Sequence, residues 1–145
     1  MPDSGNKTGP AAVLTRLQDA TNAHDIEAIV ACFAPDYRND TPVHPARGFV
    51  GNEQVRLNWT QILAAIPDLA ATVVACAVSD ETVWSEWEQR GTRPDGSAHL
   101  MRGVIVFTVG DGLITSARFF LEPVDDGDTG VDAAVRRQVT PGSAP

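Results

Sequence analysis

The stretch Thr82-Val83-Trp84-Ser85-Glu86-Trp87-Glu88-Gln89-Arg90-Gly91-Thr92-Arg93 decides the fold. Residues i and i+2 of a strand share a face. Read that way, Trp84, Glu86, Glu88 and Arg90 form one row, and Val83, Ser85, Trp87 and Gln89 form the other. Segments 69–79, 100–109 and 113–122 have the same richness in Val, Ile, Thr and aromatics. Turn signals separate the four: Ser79-Asp80-Glu81, Pro94-Asp95-Gly96 and Gly110-Asp111-Gly112. This spacing predicts a four-stranded antiparallel meander. Val104-Ile105-Val106-Phe107 is apolar at both parities, so both of its faces must be covered. The expected covers are a helical layer and a second copy of the chain, a homodimer through the outer sheet face.

Upstream of Pro67 the period is helical. Val13, Leu14, Leu17 and Ala20 fall on one helix face, which stops near Asn22-Ala23-His24. Asp25 reads as an N-cap for a second helix carrying Ile26, Ile29, Val30 and Phe33, with Pro35 as its end. A third helix opens after Gly51, with Val55, Trp59, Ile62, Leu63 and Ile66 on its stripe, and closes at Pro67. Tyr37–Asp40 reads as a short edge strand. Helices first and strands after give an α+β class, a cone-like curved sheet wrapped around three N-terminal helices. Residues 1–10 read as a disordered leader, 11–122 as the single domain, and 123–145 as a flexible acidic tail. Within that tail Val131–Val139 can form a short helix with little to bury.

Composition excludes several functions. The net charge is −8 and the eleven basic residues are scattered, which argues against nucleic acid and against anionic lipid. No apolar run is long enough to span a bilayer, and Met1–Pro10 lacks a signal-peptide core, so a cytoplasmic protein is expected. Cys32 and Cys76 sit in apolar runs and read as small buried hydrophobes. His24, His44 and His99 have no metal-ligand spacing, so no metal and no cofactor is expected.

Three stretches carry a family resemblance: residues 22–37, from Asn22-Ala23-His24-Asp25 to Pro35-Asp36-Tyr37; Gly51-Asn52-Glu53-Gln54-Val55-Arg56; and Ile66-Pro67-Asp68-Leu69 with Arg90-Gly91-Thr92 and Gly112-Leu113-Ile114-Thr115. Their order and spacing resemble the nuclear transport factor 2-like superfamily, its SnoaL-like branch in particular, over residues 11–122. The resemblance implies a curved sheet around an apolar pocket. It also turns Val83, Ser85, Trp87, Gln89 and Gly91 inward, and sends Glu86, Glu88 and Arg90 outward. Arg102, Arg118 and Glu122 then read as cross-strand ion pairs on the outer face.

The fold hosts cyclases, isomerases, hydrolases and binders, so the site must decide. Tyr37 and Asn39 resemble the water-holding pair of limonene epoxide hydrolases, but that family's Arg and two Asp positions fall on Trp87, Gln89 and Phe119. Epoxide opening needs an acid and a base, which Trp and Phe cannot supply. The base of ketosteroid isomerases falls on Thr41, with Asp40 one residue early, and their enolate-binding acid falls near Ile105. SnoaL-like cyclases use an acidic residue and nearby histidines, for which Asp40, His44, His99 and Glu122 are available. The candidate catalytic groups are therefore Tyr37, Asn39, Asp40, His44 and His99. The candidate wall for a small hydrophobic ligand is Trp59, Trp87, Gln89, Met101, Ile105 and Phe119. The function expected is a cofactor-independent cyclase, isomerase or hydrolase, or else a non-catalytic binder, or a module that binds protein through its sheet.

Overall fold

A computed structural model describes residues 8–142. Helix α1 (Pro10–Asn22) starts on a proline, whose missing N–H costs nothing in a first turn. Val13, Leu14, Leu17 and Ala20 are buried on its inner face. Asp25 caps α2 (Ile26–Val30), accepting the Ala28 N–H at 3.1 Å. This second helix is shorter than its apolar stripe suggested. It ends at Val30, and strand β1 (Phe33–Asp40) begins where one more helical turn was expected. Pro35 therefore lies inside a strand. It is tolerated because β1 and its neighbour slip register between Phe33 and Arg38, where no ladder N–H is required.

A one-turn 3-10 helix (Pro45–Arg47) leads to β2 (Phe49–Val50) and then to α3 (Asn52–Ala65). The strands β3 (Ala70–Ser79), β4 (Thr82–Thr92), β5 (Ala98–Gly110) and β6 (Leu113–Pro123) form the antiparallel meander. Asp111 and Gly112 both have positive φ, 52° and 76°, the geometry a two-residue hairpin loop needs.

The six strands lie in the order β2-β1-β6-β5-β4-β3. Strand β1 is not at an edge, as Tyr37–Asp40 had suggested. It pairs in parallel with β6 and antiparallel with β2, and β2 is the edge. The other edge is β3, and α1 covers its exposed backbone. The Asn22 amide donates to the Ala71 carbonyl and accepts the Ala71 N–H, and Gln18 accepts the Val73 N–H. Side-chain amides thus take the place of a missing strand. His24 is structural, with Nε2 2.7 Å from the Leu69 carbonyl oxygen.

The core lies between the inner sheet face and the helices, around Val13, Ile29, Val83, Trp87, Phe107 and Ile114. Gly103 faces Trp87 across β4 and β5. A Cβ there would stand 2.0 Å from the Phe120 carbonyl oxygen, so the close approach of β5 and β6 requires glycine.

On the outer face Glu88 pairs with Arg90 and Arg102 at 2.7 and 2.9 Å. The expected Arg102–Arg118–Glu122 set does not form. Arg118 stacks over the Trp84 ring instead, and Glu122 turns to His44. Val106 stands between Trp84 and Arg118 in the register and is buried within the single chain. Part of the cover assigned to a second subunit is therefore intramolecular.

Cys76 is exposed on β3, against the expectation of burial, because this edge strand runs past the helices; Cys32 is buried as expected. Helix α4 (Val131–Val139) forms in the C-terminal segment and buries nothing. Residues 1–7 of the expected leader lie outside the described residues. No helix among the described residues is long and apolar enough to cross a membrane.

Candidate functional site

Helix α3 does not seal the mouth of the sheet. Within the helix only Val55 of its stripe is buried, while Trp59, Ile62 and Leu63 are half-buried; the capping residue Ile66 is buried. The unfilled space is a cavity in two lobes that share Phe33, Trp59, Gln89 and Phe119. The inner lobe, about 40 Å³, is closed by Trp87, Ile105 and Phe107. The outer lobe, about 280 Å³, opens between α3, the end of β1 and the loop after it.

Strand alternation builds the polar wall of the outer lobe. Tyr37, Asn39 and Thr41 all point inward and are buried, while Arg38 and Asp40 point out. The Tyr37 hydroxyl donates to Asn39 Oδ1 at 2.8 Å. That bond turns the Asn39 amide nitrogen towards Thr41 Oγ1, 3.4 Å away. The Tyr37 ring is held edge-on by Phe33 and Phe49, at 4.7 and 5.9 Å between centroids. Burial, and secondarily the charge of Asp40, pushes the Tyr37 phenol well above its ordinary range. It is a fixed neutral donor, not a base.

The aromatic wall is equally constrained. Trp87 Nε1 donates to Ser85 Oγ at 2.8 Å, and Ser85 donates to the Ile105 carbonyl at 2.6 Å. Trp87, Phe107 and Phe119 stack edge to face in series. The indole N–H is thereby consumed inside the protein. The side chain of Gln89, which lines both lobes, makes no hydrogen bond to the described residues, so its amide is available to the cavity.

Of the residues singled out from sequence, Tyr37, Asn39, Trp59, Trp87, Gln89, Met101, Ile105 and Phe119 line the cavity. Asp40, His44 and His99 do not. Asp40 pairs with Arg38 on the outside, as its position one residue out of phase dictates. His44 Nε2 lies 3.2 Å from Glu122, at the half-exposed rim. His99 faces Gly91 on β4, and its buried Nε2 has no hydrogen-bond partner among the described residues. Burial, and secondarily Arg93, lowers its pKa, so it is neutral near pH 7. Thr41, Arg47 and Asn58 also line the cavity and were missed as wall residues. Continuing the alternation of β1 by one step would have found Thr41. Arg47 lies in a Pro/Gly-rich segment with no period to read. Among the described residues no three His, Cys, Asp or Glu side chains gather to hold a metal.

A family model described as a SnoaL-like domain matches residues 14–117. No curated protein matches the chain. Solved structures match the fold. IdmH from Streptomyces antibioticus, a proposed polyketide cyclase, is 23% identical with a TM-score of 0.68, over 78% of this chain and 91% of its own. Rv0760c from Mycobacterium tuberculosis, in complex with estradiol-17β-hemisuccinate, is 22% identical with a TM-score of 0.66, over 76% and 91%. A proposed ketosteroid isomerase from Kribbella flavida is 19% identical with a TM-score of 0.63, over 89% and 85%.

Proposed function

The chain belongs to the SnoaL-like domain family, and from that premise we propose that it binds a small, largely apolar molecule in the two-lobed cavity and does no acid–base chemistry on it. One observation carries this reading. Among the described residues the lining includes no Asp, Glu or His, and its phenol is held neutral. Proton transfer to or from a substrate needs a group that titrates near the working pH. Here the polar wall is made of amides, hydroxyls and the always-charged Arg47 guanidinium, which orient a ligand but do not exchange protons with it. The volume sits near the small end of the ~300–1,000 Å³ common for ligand sites, which suits one or two fused rings better than an extended chain.

Two measurements test this. Native mass spectrometry of the purified full chain reads any molecule it retains, and calorimetric titration with 2-acetylnaphthalene reads saturable binding. We expect binding that is lost in Asn39→Trp, which fills the outer lobe. No retained mass, together with no saturable heat from that probe or from estradiol, would sink the reading.

The orphaned Nε2 of His99, neutral and two residues from the cavity-lining Met101, favours a second reading. In it His99 acts as a base on a ligand that reaches past Met101. Turnover of a bound molecule that disappears in His99→Gln is the result that would choose it.

The exposed Trp84 and Phe120 on the outer sheet face support a further part of the proposal, that two copies associate through that face.

A further inference from the structure

Arg47 is the one charged side chain among the described residues that lines the cavity, and the protein around it is acidic, with a net charge of −8. In such a chain a guanidinium would be expected to find a carboxylate. Two carboxylates lie close to its loop and neither takes it. Asp40 Oδ1 would be 3.9 Å from a Cβ at Gly48, the residue next to Arg47, but Asp40 is turned outward to Arg38 at 3.3 Å. Glu122 is engaged by His44 at 3.2 Å. Arg47 itself makes no ion pair among the described residues. The loop that carries it is held in place, since its one-turn helix closes with Gly48 N–H donating to the Pro45 carbonyl at 3.2 Å.

The adjoining wall has the same polarity. Tyr37 donates to Asn39, and Asn39 donates to Thr41, so the relay runs in one direction along β1. Thr41 Oγ1 already accepts from Asn39, and its own proton has no acceptor among the described residues. The relay therefore ends in a hydroxyl donor at the cavity wall. Thr41 and Arg47 line the same lobe and both offer donors to it, beside the aromatic wall. A planar guanidinium matches a carboxylate in two parallel bonds, and a hydroxyl donor beside it completes the set.

We propose that these two donors read an acidic oxygen group, so that the ligand class is a flat apolar ring bearing a carboxylate at its outer end. The proposal rests on the cavity being a binding site. The ring lies against Trp59 and Phe119, and the carboxylate faces Arg47 and Thr41 at the open end, where it keeps part of its hydration.

The test compares 2-naphthoate with 2-naphthamide, which share shape and differ in charge, by calorimetric titration of the full chain. Wild type is expected to bind the acid about fivefold more tightly, the scale of a partly exposed charge-assisted contact. Raising the salt concentration should weaken only the acid. Arg47→Gln should bring the ratio close to one, and Arg47→Lys should retain part of it, because the charge stays while the fork is lost. Arg47 is exposed, so a melting curve suffices to show that both variants fold. Equal affinity for the two probes in wild type overturns this inference and leaves the cavity reading standing. A preference that survives in Arg47→Gln overturns the assignment to Arg47. Binding of neither probe overturns this inference, and the cavity reading falls with it when 2-acetylnaphthalene and estradiol also give no saturable heat and no mass is retained.

Discussion

Trp84 and Trp87 stand three residues apart on β4 and on opposite faces of one sheet. Trp87 is 3% exposed and Trp84 is 49% exposed. On the inner face the indole N–H is satisfied by Ser85, the neighbours are Phe107 and the cavity, and every nearby polar group is neutral. On the outer face the indole lies under Arg118, with the Glu88–Arg90–Arg102 ion pairs on the same side of the strand. The difference shows how the fold sorts its chemistry. A charge on the inner face would have to shed its water against aromatic walls, whereas outside it stays hydrated. Aromatic Trp87 faces in and the Glu88 carboxylate faces out, adjacent in sequence and on opposite sides of the sheet.

Mutations test that contrast in order of size. Trp87→Ala should cost about 3–5 kcal/mol, because it removes a fully packed aromatic and leaves a void that the sheet cannot close. Denaturant unfolding reads this directly, and a loss under ~1 kcal/mol would mean that the inner wall is not the core of the fold. Tyr37→Phe should cost about 1–2 kcal/mol, since it leaves the buried Asn39 carbonyl oxygen without its donor. If that variant is as stable as wild type, the relay along β1 is not structural. Trp84→Glu should have the smallest effect on folding, because the position is half exposed and its contact with Arg118 is worth about 0.5–1 kcal/mol. Its effect should instead fall on assembly. Light scattering is expected to give the mass of two chains for wild type and of one chain for the variant. A single-chain mass for wild type would rule out association through the outer face.

The contrast between faces was largely legible in advance. The row Trp84, Glu86, Glu88, Arg90 and the row Val83, Ser85, Trp87, Gln89 follow from period two alone, and one family resemblance was enough to say which row faces in. The three helices, the Asp25 cap and the meander followed from apolar spacing and turn residues. The errors gather where local signals compete. Ile29, Val30 and Phe33 share a helical stripe, yet Phe33 gains more by starting β1 beside β6, and no local rule weighs that pairing. Cys76 sits in an apolar run, but burial depends on whether a helix reaches over it, and at the end of β3 none does. Arg102 and Glu122 stand opposite each other in the register, yet each takes another partner within reach.

The sequence by itself determined the α+β class, the four-stranded meander and the two rows of β4. These depend on periodicity and residue chemistry, which are local. Only the tertiary structure decided that β1 is an inner strand, that α3 leaves a cavity unsealed, and that Arg47 comes to its mouth without a carboxylate. Each of those depends on distances between segments far apart in the chain. Those distances are set by which strands pair and how tightly the helices pack, and neither leaves a period in the sequence.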